Sequence, residues 1–271
     1  MSNQKIYLVT YGSGKYNNTK YRLKQEAIDS GFFDEIFVYG AEDIDSGFLE
    51  KYKNLFDGKI EGGNRGGGFW IYKYYFVEKV LKMINENDIV FWLDAGCTIN
   101  KNGKKRFYEY IDILNNSEHC NLSFIMHHLE KYWTTSQIFN YFDISMNSDI
   151  ANSGQMMATC IGWKKNNCSF NLINLFFKTI DYDYKLISDA YNKIDQNEYF
   201  KDNRHDQSIF SILSKIYGHV AVDKDETFFL DNPLEQFDYP FLSSRKRKYT
   251  VGERILFYLL YPLNINKPKY F

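Results

Sequence analysis

The sequence predicts an α/β domain built on one mostly parallel sheet with helices on both faces. Three observations lead there. Short apolar or β-branched runs alternate with stretches whose apolar residues recur three and four apart. The clearest strand, in "DIVFWLDAG" (88–96), carries five apolar residues in a row, the pattern of a strand covered on both faces. No internal repeat and no long linker interrupts the alternation, so a single sheet can take all of it.

In chain order, "KIYLVTY" (5–11) reads as a strand closed by Gly12, Ser13 and Gly14. A helical stretch follows with Leu23, Ala27 and Ile28 on one face, and Gly31 is placed to cap it. "EIFVYG" (35–40) is a second strand, and a short helix is expected near 46–57. Then comes the glycine-dense loop "GKIEGGNRGGGFW" (58–70). From Trp70 to Ile84 the residues Ile71, Val77, Val80, Leu81 and Ile84 mark a core-facing helix. Beyond the strand at 89–93, a helix is expected over 105–116 and a strand over 121–128. Another strand is expected over 152–165, then a mostly helical stretch over 168–192. A last helix carries Ile209, Ile212, Leu213 and Ile216. The domain is expected over 1–239, with 240–271 as a basic, aromatic C-terminal extension.

With 271 residues, 44% of them apolar and 25% charged, the chain can bury a sizeable core and is not of disordered composition. The formal net charge of −1 gives no overall attraction to nucleic acid. It is unevenly spread: from Pro240 onward there are seven basic residues and one acid, so the tail carries +6 and the remainder −7. The four cysteines, Cys97, Cys120, Cys160 and Cys168, show no CxxC spacing, and reduced thiols are expected. "MSNQKIYLVTYG" lacks the apolar core of a signal peptide, and no window reaches the roughly 20 apolar residues that cross a bilayer. A cytoplasmic protein is the expectation. In the tail, the basic run Arg245 to Lys248 precedes "RILFYLLYPL". That pairing suits an interfacial helix on an anionic membrane or a docking face for a partner, or else a helix folded back on the domain.

Four stretches could carry chemistry. "TYGSGKYNN" (10–18) lies between a strand and a helix, where small residues and free amides can hold a nucleotide. It matches neither the dinucleotide fingerprint nor the P-loop, and taken alone it reads as a plain turn between strand and helix. "GGNRGGG" (62–68) sets Arg65 among five glycines, either as a diphosphate contact or as a surface connection, with Lys73 on the next helix. Asp94, followed by Ala95 and Gly96, ends the buried strand. It serves a turn or a ligand site at the carboxyl edge of the sheet. In "NRHDQSIFSIL" (203–213), Asp206 and Gln207 open a helix; Asn203 and Asp206 suit capping as well as catalysis. The five histidines show no tight ligand spacing.

Taken in order, these stretches and the later "NSGQMM" and "HDQS" resemble the GT-A fold of nucleotide-sugar glycosyltransferases, notably the glycogenin-like and related bacterial and viral branches. The resemblance spans about residues 5 to 225. It implies a donor site in which Thr10, Tyr11 and Gly12 hold the base and Lys73 contacts the donor sugar or phosphate, with Arg65 beside the diphosphate. Asn152, Ser153 and Gly154 would line the sugars, and Asp206 and Gln207 would flank the anomeric carbon. Asp94 stands where the family's Asp-x-Asp binds Mn²⁺ or Mg²⁺; here the motif is Asp94-Ala95-Gly96, without the second acid. His219 is the candidate for the family's late histidine ligand.

The implied activity is transfer from a nucleoside-diphosphate sugar, a UDP-sugar being usual in this family, to a hydroxyl of a glycan or protein. The Asp-Gln pair favours retention. The rival readings are a non-catalytic sugar-nucleotide or glycan-binding protein of the same fold, and a nucleotidyltransferase.

Overall fold

A computed structural model describes residues 4–228 and 236–246. Among the described residues nine strands form: β1 (Ile6–Tyr11), β2 (Glu35–Tyr39), β3 (Ile89–Leu93), β4 (Thr98–Ile99), β5 (Asn121–Leu129), β6 (Gly154–Met156), β7 (Cys160–Lys164), β8 (Val220–Val222) and β9 (Phe241–Leu242). Seven make the main sheet in the order β2-β1-β3-β7-β5-β6, with β8 beside β5. Strands β2, β1 and β3 are parallel; β7 runs antiparallel between β3 and β5, and β6 runs antiparallel to β5. Since β8 is parallel to β5, five of the seven strands share one direction. The α/β expectation holds, with β7 as a reversed strand near the middle.

Strand periodicity builds the two faces. Tyr7, Val9, Tyr11, Val90 and Trp92 enter one core, which helices Tyr72–Met83, Asn167–Tyr182 and Asp206–Tyr217 cover. Ile6, Leu8, Ile89, Phe91 and Leu93 enter the other, covered by helices Thr19–Ser30 and Lys104–Asn115. Every residue of β1 and β3 is buried, each large side chain contributing about 1.5–3 kcal/mol. The edge strand β2 is only partly covered. The same alternation places Asp94 on the face of Val90 and Trp92, towards helix Tyr72–Met83.

Most expected elements are found with shifted ends. The 46–57 helix is two short ones, Ser46–Lys51 and Lys53–Phe56, and the 152–165 strand is two, β6 and β7. The 168–192 helix stops at Tyr182. Gly31 caps the first helix with φ of 65° as expected, yet Ile28 is exposed; the aliphatic stem of Arg22 takes the inner face with Leu23 and Ala27. Ile216 is likewise exposed, near the helix end, while Ile209, Ile212 and Leu213 are buried.

The cysteine expectation is corrected. Cys120, at the start of β5, and Cys168, at the start of helix Asn167–Tyr182, are disulfide-bonded, with Cα atoms 5.7 Å apart. Their 48-residue separation hid the pair; Cys97 and Cys160 are free and buried. The extension begins within the domain: β9 pairs with β4, and Phe241 is buried beside Phe91, Phe107 and Tyr110. The segment "RILFYLLYPL" lies outside the described residues. Among those described, no helix is long and apolar enough to cross a membrane.

One buried charge ties the far end of the sheet together. Glu130 is fully buried; its oxygens accept from Thr134 Oγ1 at 2.7 Å, Gln155 Nε2 at 3.1 Å, Lys215 Nζ at 2.8 Å and the Ser211 hydroxyl. Glu130→Ala leaves Lys215 without its counter-ion and should cost about 3–5 kcal/mol. Urea unfolding measures this; a loss under about 1 kcal/mol, the range of exposed pairs, contradicts it.

Candidate active site

Three charged side chains from three separate elements meet at the carboxyl edge of β1 and β3. Lys73 Nζ lies 2.8 Å from Asp206 Oδ2 and 3.5 Å from Asp94 Oδ1, and donates to the Ala158 carbonyl at 2.7 Å. Lys73 and Asp206 are buried, whereas the Asp94 side chain is 30% exposed and forms the mouth of the cluster. Trp92 Nε1 donates to Asp94 Oδ1 at 2.8 Å.

The glycine-dense loop explains where Lys73 stands. Gly66, Gly67, Gly68, Phe69 and Trp70 have φ of 61°, 66°, 95°, 52° and 63°, a left-handed turn that three glycines make accessible. A side chain on Gly68 would meet the Phe56 ring at 2.5 Å. This turn delivers the chain to helix Tyr72–Met83, with Lys73 in its first turn. Arg65, expected beside a diphosphate, is engaged elsewhere: Asp189 lies at 3.1 Å and Asp202 at 3.7 Å. The loop is a backbone device that aims Lys73.

Of the two readings of "LDAGC", the turn is the one the structure shows. A turn forms, with the Cys97 N–H donating to the Asp94 carbonyl, and Arg22 Nη2 clamps the carbonyls of Ala95 and Cys97 at 2.9 and 2.6 Å. The Asp94 carboxylate nevertheless points to Lys73. Gly96 lies under residues 244–246: Lys246 N–H and the Ser244 hydroxyl both donate to its carbonyl.

Asp206 and Gln207 open helix Asp206–Tyr217 with Asp206 in its first turn, as the dipole reading expects, but Asn203 is not its cap. Asn203 ties down the carbonyls of Leu186 and Ser188 instead, and Asp206 is the first helical residue, pointing at Lys73. His205, at φ 57°, turns the chain; its ring stacks on Phe69 and meets Asp189 at 2.8 Å. Gln207 accepts from the Ala158 N–H at 3.3 Å and donates to Gln155 at 2.7 Å. Burial pushes the Asp206 carboxyl up to about 6, with Lys73 opposing the rise and Asp94 adding to it. For Lys73, burial disfavours the charge, yet the two carboxylates outweigh it and hold its pKa above the lysine value.

The remaining sequence candidates divide. Thr10 is fully buried and donates to the Leu93 carbonyl, so its hydroxyl joins β1 to β3. The Tyr11 ring stacks on Tyr72 at 3.9 Å, and a side chain on Gly12 would collide with the Tyr16 carbonyl. Asn152 binds the carbonyls of Met146 and Ser148 and the ammonium of Lys131; Ser153 donates to Ile150. Gly154 permits close approach of β6 to Met126 in β5. None of these three touches Lys73, Asp94 or Asp206. The residues that do reach them are Ala158 and Thr159, just ahead of β7, whose carbonyls accept from Lys73 and from the Asp94 N–H. Sequence offered no polar signal there, because backbone does the work.

His219, expected as a late metal ligand, donates from Nδ1 to the Ser214 carbonyl at 3.0 Å, at the opposite end of the helix from Asp206. Among the described residues no group of three or more His, Cys, Asp or Glu could hold a metal ion. The donor set at Asp94 does not fit a divalent cation either. Its one well-placed carboxylate partner, Asp206, is already joined to it through the Lys73 ammonium.

No protein-family profile and no curated protein matches the chain. Solved structures similar to it include a glycosyltransferase involved in glycosylation of the major capsid of PBCV-1, at 10% identity and a TM-score of 0.47, covering 88% of this chain and 93% of that one. The galactosyltransferase LgtC, solved with donor and acceptor sugar analogs, is similar at 12% identity and a TM-score of 0.44, covering 86% of this chain and 83% of that one. The glycosyltransferase GlyE of Streptococcus pneumoniae is similar at 12% and 0.41, over 81% of this chain; the chain spans under half of GlyE, 45%.

The raised Asp206 carboxyl favours the folded state below its unfolded pKa near 4, and that contribution is lost as pH rises through about 6. Lys73→Met removes the group that opposes the rise, so the decline should extend to higher pH, on top of a loss of about 3–5 kcal/mol. Urea midpoints from pH 4 to 8 for both proteins test it; parallel curves would show that Lys73 does not couple to Asp206.

Proposed function

We propose that this chain is a glycosyltransferase that moves a sugar, with retention, from a nucleoside-diphosphate sugar to a hydroxyl of a glycan or protein. The observation that carries the reading is the buried Lys73 ammonium joining Asp94 and Asp206 at the open edge of the sheet. Glycosyl transfer sets two electrostatic tasks at once. The departing diphosphate is anionic, and the sugar develops positive charge at the anomeric carbon. A fixed ammonium beside a fixed carboxylate, both buried, suits both.

Each group then has a role. Lys73 contacts the donor's phosphate or sugar oxygens, and the two carboxylates keep it charged despite burial. Asp206 supplies negative charge next to the anomeric carbon, positioned by the helix start and by Gln207, which is itself fixed between Ala158 and Gln155. Asp94, the more exposed carboxylate, accepts hydrogen bonds from donor hydroxyls. With the Thr10 hydroxyl spent on Leu93, the loop following Tyr11 is the part of the first strand left for the base. No step needs a metal bound at Asp94.

Donor hydrolysis and transfer over a panel of UDP-, GDP- and other nucleotide sugars test the activity. Asp94→Asn should weaken donor binding and abolish transfer with the fold intact. Asp206→Asn should cut turnover by two or more orders of magnitude with donor binding little changed. Because Asp206 works as the carboxylate and its pKa is about 6, turnover should rise through that pH and level off above it. Donor binding without turnover on any acceptor would instead support the binding-protein reading. Pyrophosphate release from a nucleoside triphosphate would support the nucleotidyltransferase.

A further inference from the structure

Two buried glutamine side chains join the Glu130 cluster to the active site, and the chemistry of their neighbours fixes which way round each one lies. Gln155, on β6, is fully buried, and Gln207 is nearly so. Gln155 Nε2 stands 3.1 Å from a Glu130 carboxylate oxygen and 3.4 Å from the Trp133 carbonyl. Both of those groups can only accept, so this end of the amide is the donor end. The hydroxyls of Thr134 at 3.1 Å and Ser208 at 3.4 Å complete its surroundings. The Gln155 carbonyl oxygen therefore faces the other way, 2.7 Å from Gln207. That oxygen accepts only, so Gln207 turns its own amide N–H groups towards Gln155.

The far end of the relay requires the same orientation independently. The Gln207 carbonyl oxygen meets the Ala158 N–H at 3.3 Å, and a backbone N–H only donates. Turning Gln207 over would set donor against donor at Ala158 and oxygen against oxygen at Gln155, two buried mismatches. The direction is thus imposed by Glu130, whose own place is held by Lys215, Ser211 and Thr134. Ala158 is also the residue whose carbonyl takes the Lys73 ammonium at 2.7 Å, and Gln207 follows Asp206 on the helix. An unbroken line of polar contacts therefore runs from Glu130 through Gln155 and Gln207 to Ala158 and Lys73. It delivers to Ala158 the carbonyl end of Gln207, the negative end of the amide dipole.

We propose that Gln155 is a positioning residue, locked by Glu130, that holds Gln207 with its carbonyl oxygen towards Ala158 and the site. What that oxygen does there, set near the positive charge at the anomeric carbon, rests on the glycosyl-transfer reading above; the orientation does not. Side-chain amide exchange, followed by NMR on protein carrying isotope-labelled glutamine, reads the orientation without any substrate. Gln207→Met identifies the Gln207 signals. In the native protein they should exchange far more slowly than in urea, and in the nearly isosteric Gln155→Met about tenfold faster than in the native protein. Equal exchange in the two proteins overturns the relay. If Gln155→Met does not fold, the native spectrum decides: Gln207 signals no slower than in urea overturn it. Turnover tests the positioning role. Gln155→Met should lower kcat about tenfold with donor KM changed less than about twofold. In the Gln207→Met background the same substitution should cost nothing further, because Gln155 acts through Gln207. An unchanged kcat in the single variant, or losses that multiply in the double variant, overturns the role. Thr134→Val removes a hydroxyl from the same buried surroundings but leaves Glu130 and Trp133 to orient Gln155, so kcat should stay within about twofold. A tenfold fall there would show that the cluster acts through stability alone. A native protein that turns over no donor removes the glycosyl-transfer reading, and the exchange result then decides the orientation by itself.

Discussion

A lysine buried between two aspartates is the constraint on which this site depends. An ammonium out of water is tolerated only where its charge is met, and the two carboxylates and the Ala158 carbonyl meet it from three separate elements. The strand end at Asp94, the helix start at Asp206 and the residues just ahead of β7 must therefore hold their positions together. Removing any one would leave a charge stranded at the edge of the core. The cluster is held in one arrangement because its charges would otherwise be unmet.

Much of the surrounding architecture serves that requirement. The left-handed turn at residues 66–70 aims helix Tyr72–Met83 so that Lys73 points along the sheet edge. Arg22 clamps the carbonyls beyond Asp94, and His205 turns the chain so that Asp206, not Asn203, heads its helix. These residues act largely through backbone and aromatic contacts and are separated in sequence by up to 183 positions. Their common effect is to fix three side chains to within hydrogen-bonding distances.

Charge is arranged unevenly around the pocket. Arg65, whose setting among glycines invited a phosphate role, is neutralised by Asp189 and Asp202. Arg204, by contrast, has no carboxylate within ion-pair reach among the described residues and lies over the Trp133 ring. The tail's basic run thus begins at the mouth of the site and not on a detached extension, because β9 stitches residues 241–242 to β4.

Sequence by itself determined the layered α/β class and the order of its elements, and it singled out Asp94, Lys73 and Asp206, which the fold brings together. Apolar periodicity and strand-end acids are local signals, and they survive without knowledge of the fold. It did not determine which neighbours those residues have. Whether Asn152–Gly154 or Ala158–Thr159 reaches Asp94 depends on a break between β6 and β7 that no local pattern marks, and the residues that do reach it act through backbone atoms. The pairing of Cys120 with Cys168, the neutralisation of Arg65 and the exposure of Arg245 at Gly96 were decided only by tertiary structure. Each is a contact between segments distant in the chain, and its energy depends on burial and proximity, quantities that arise only once the sheet has closed.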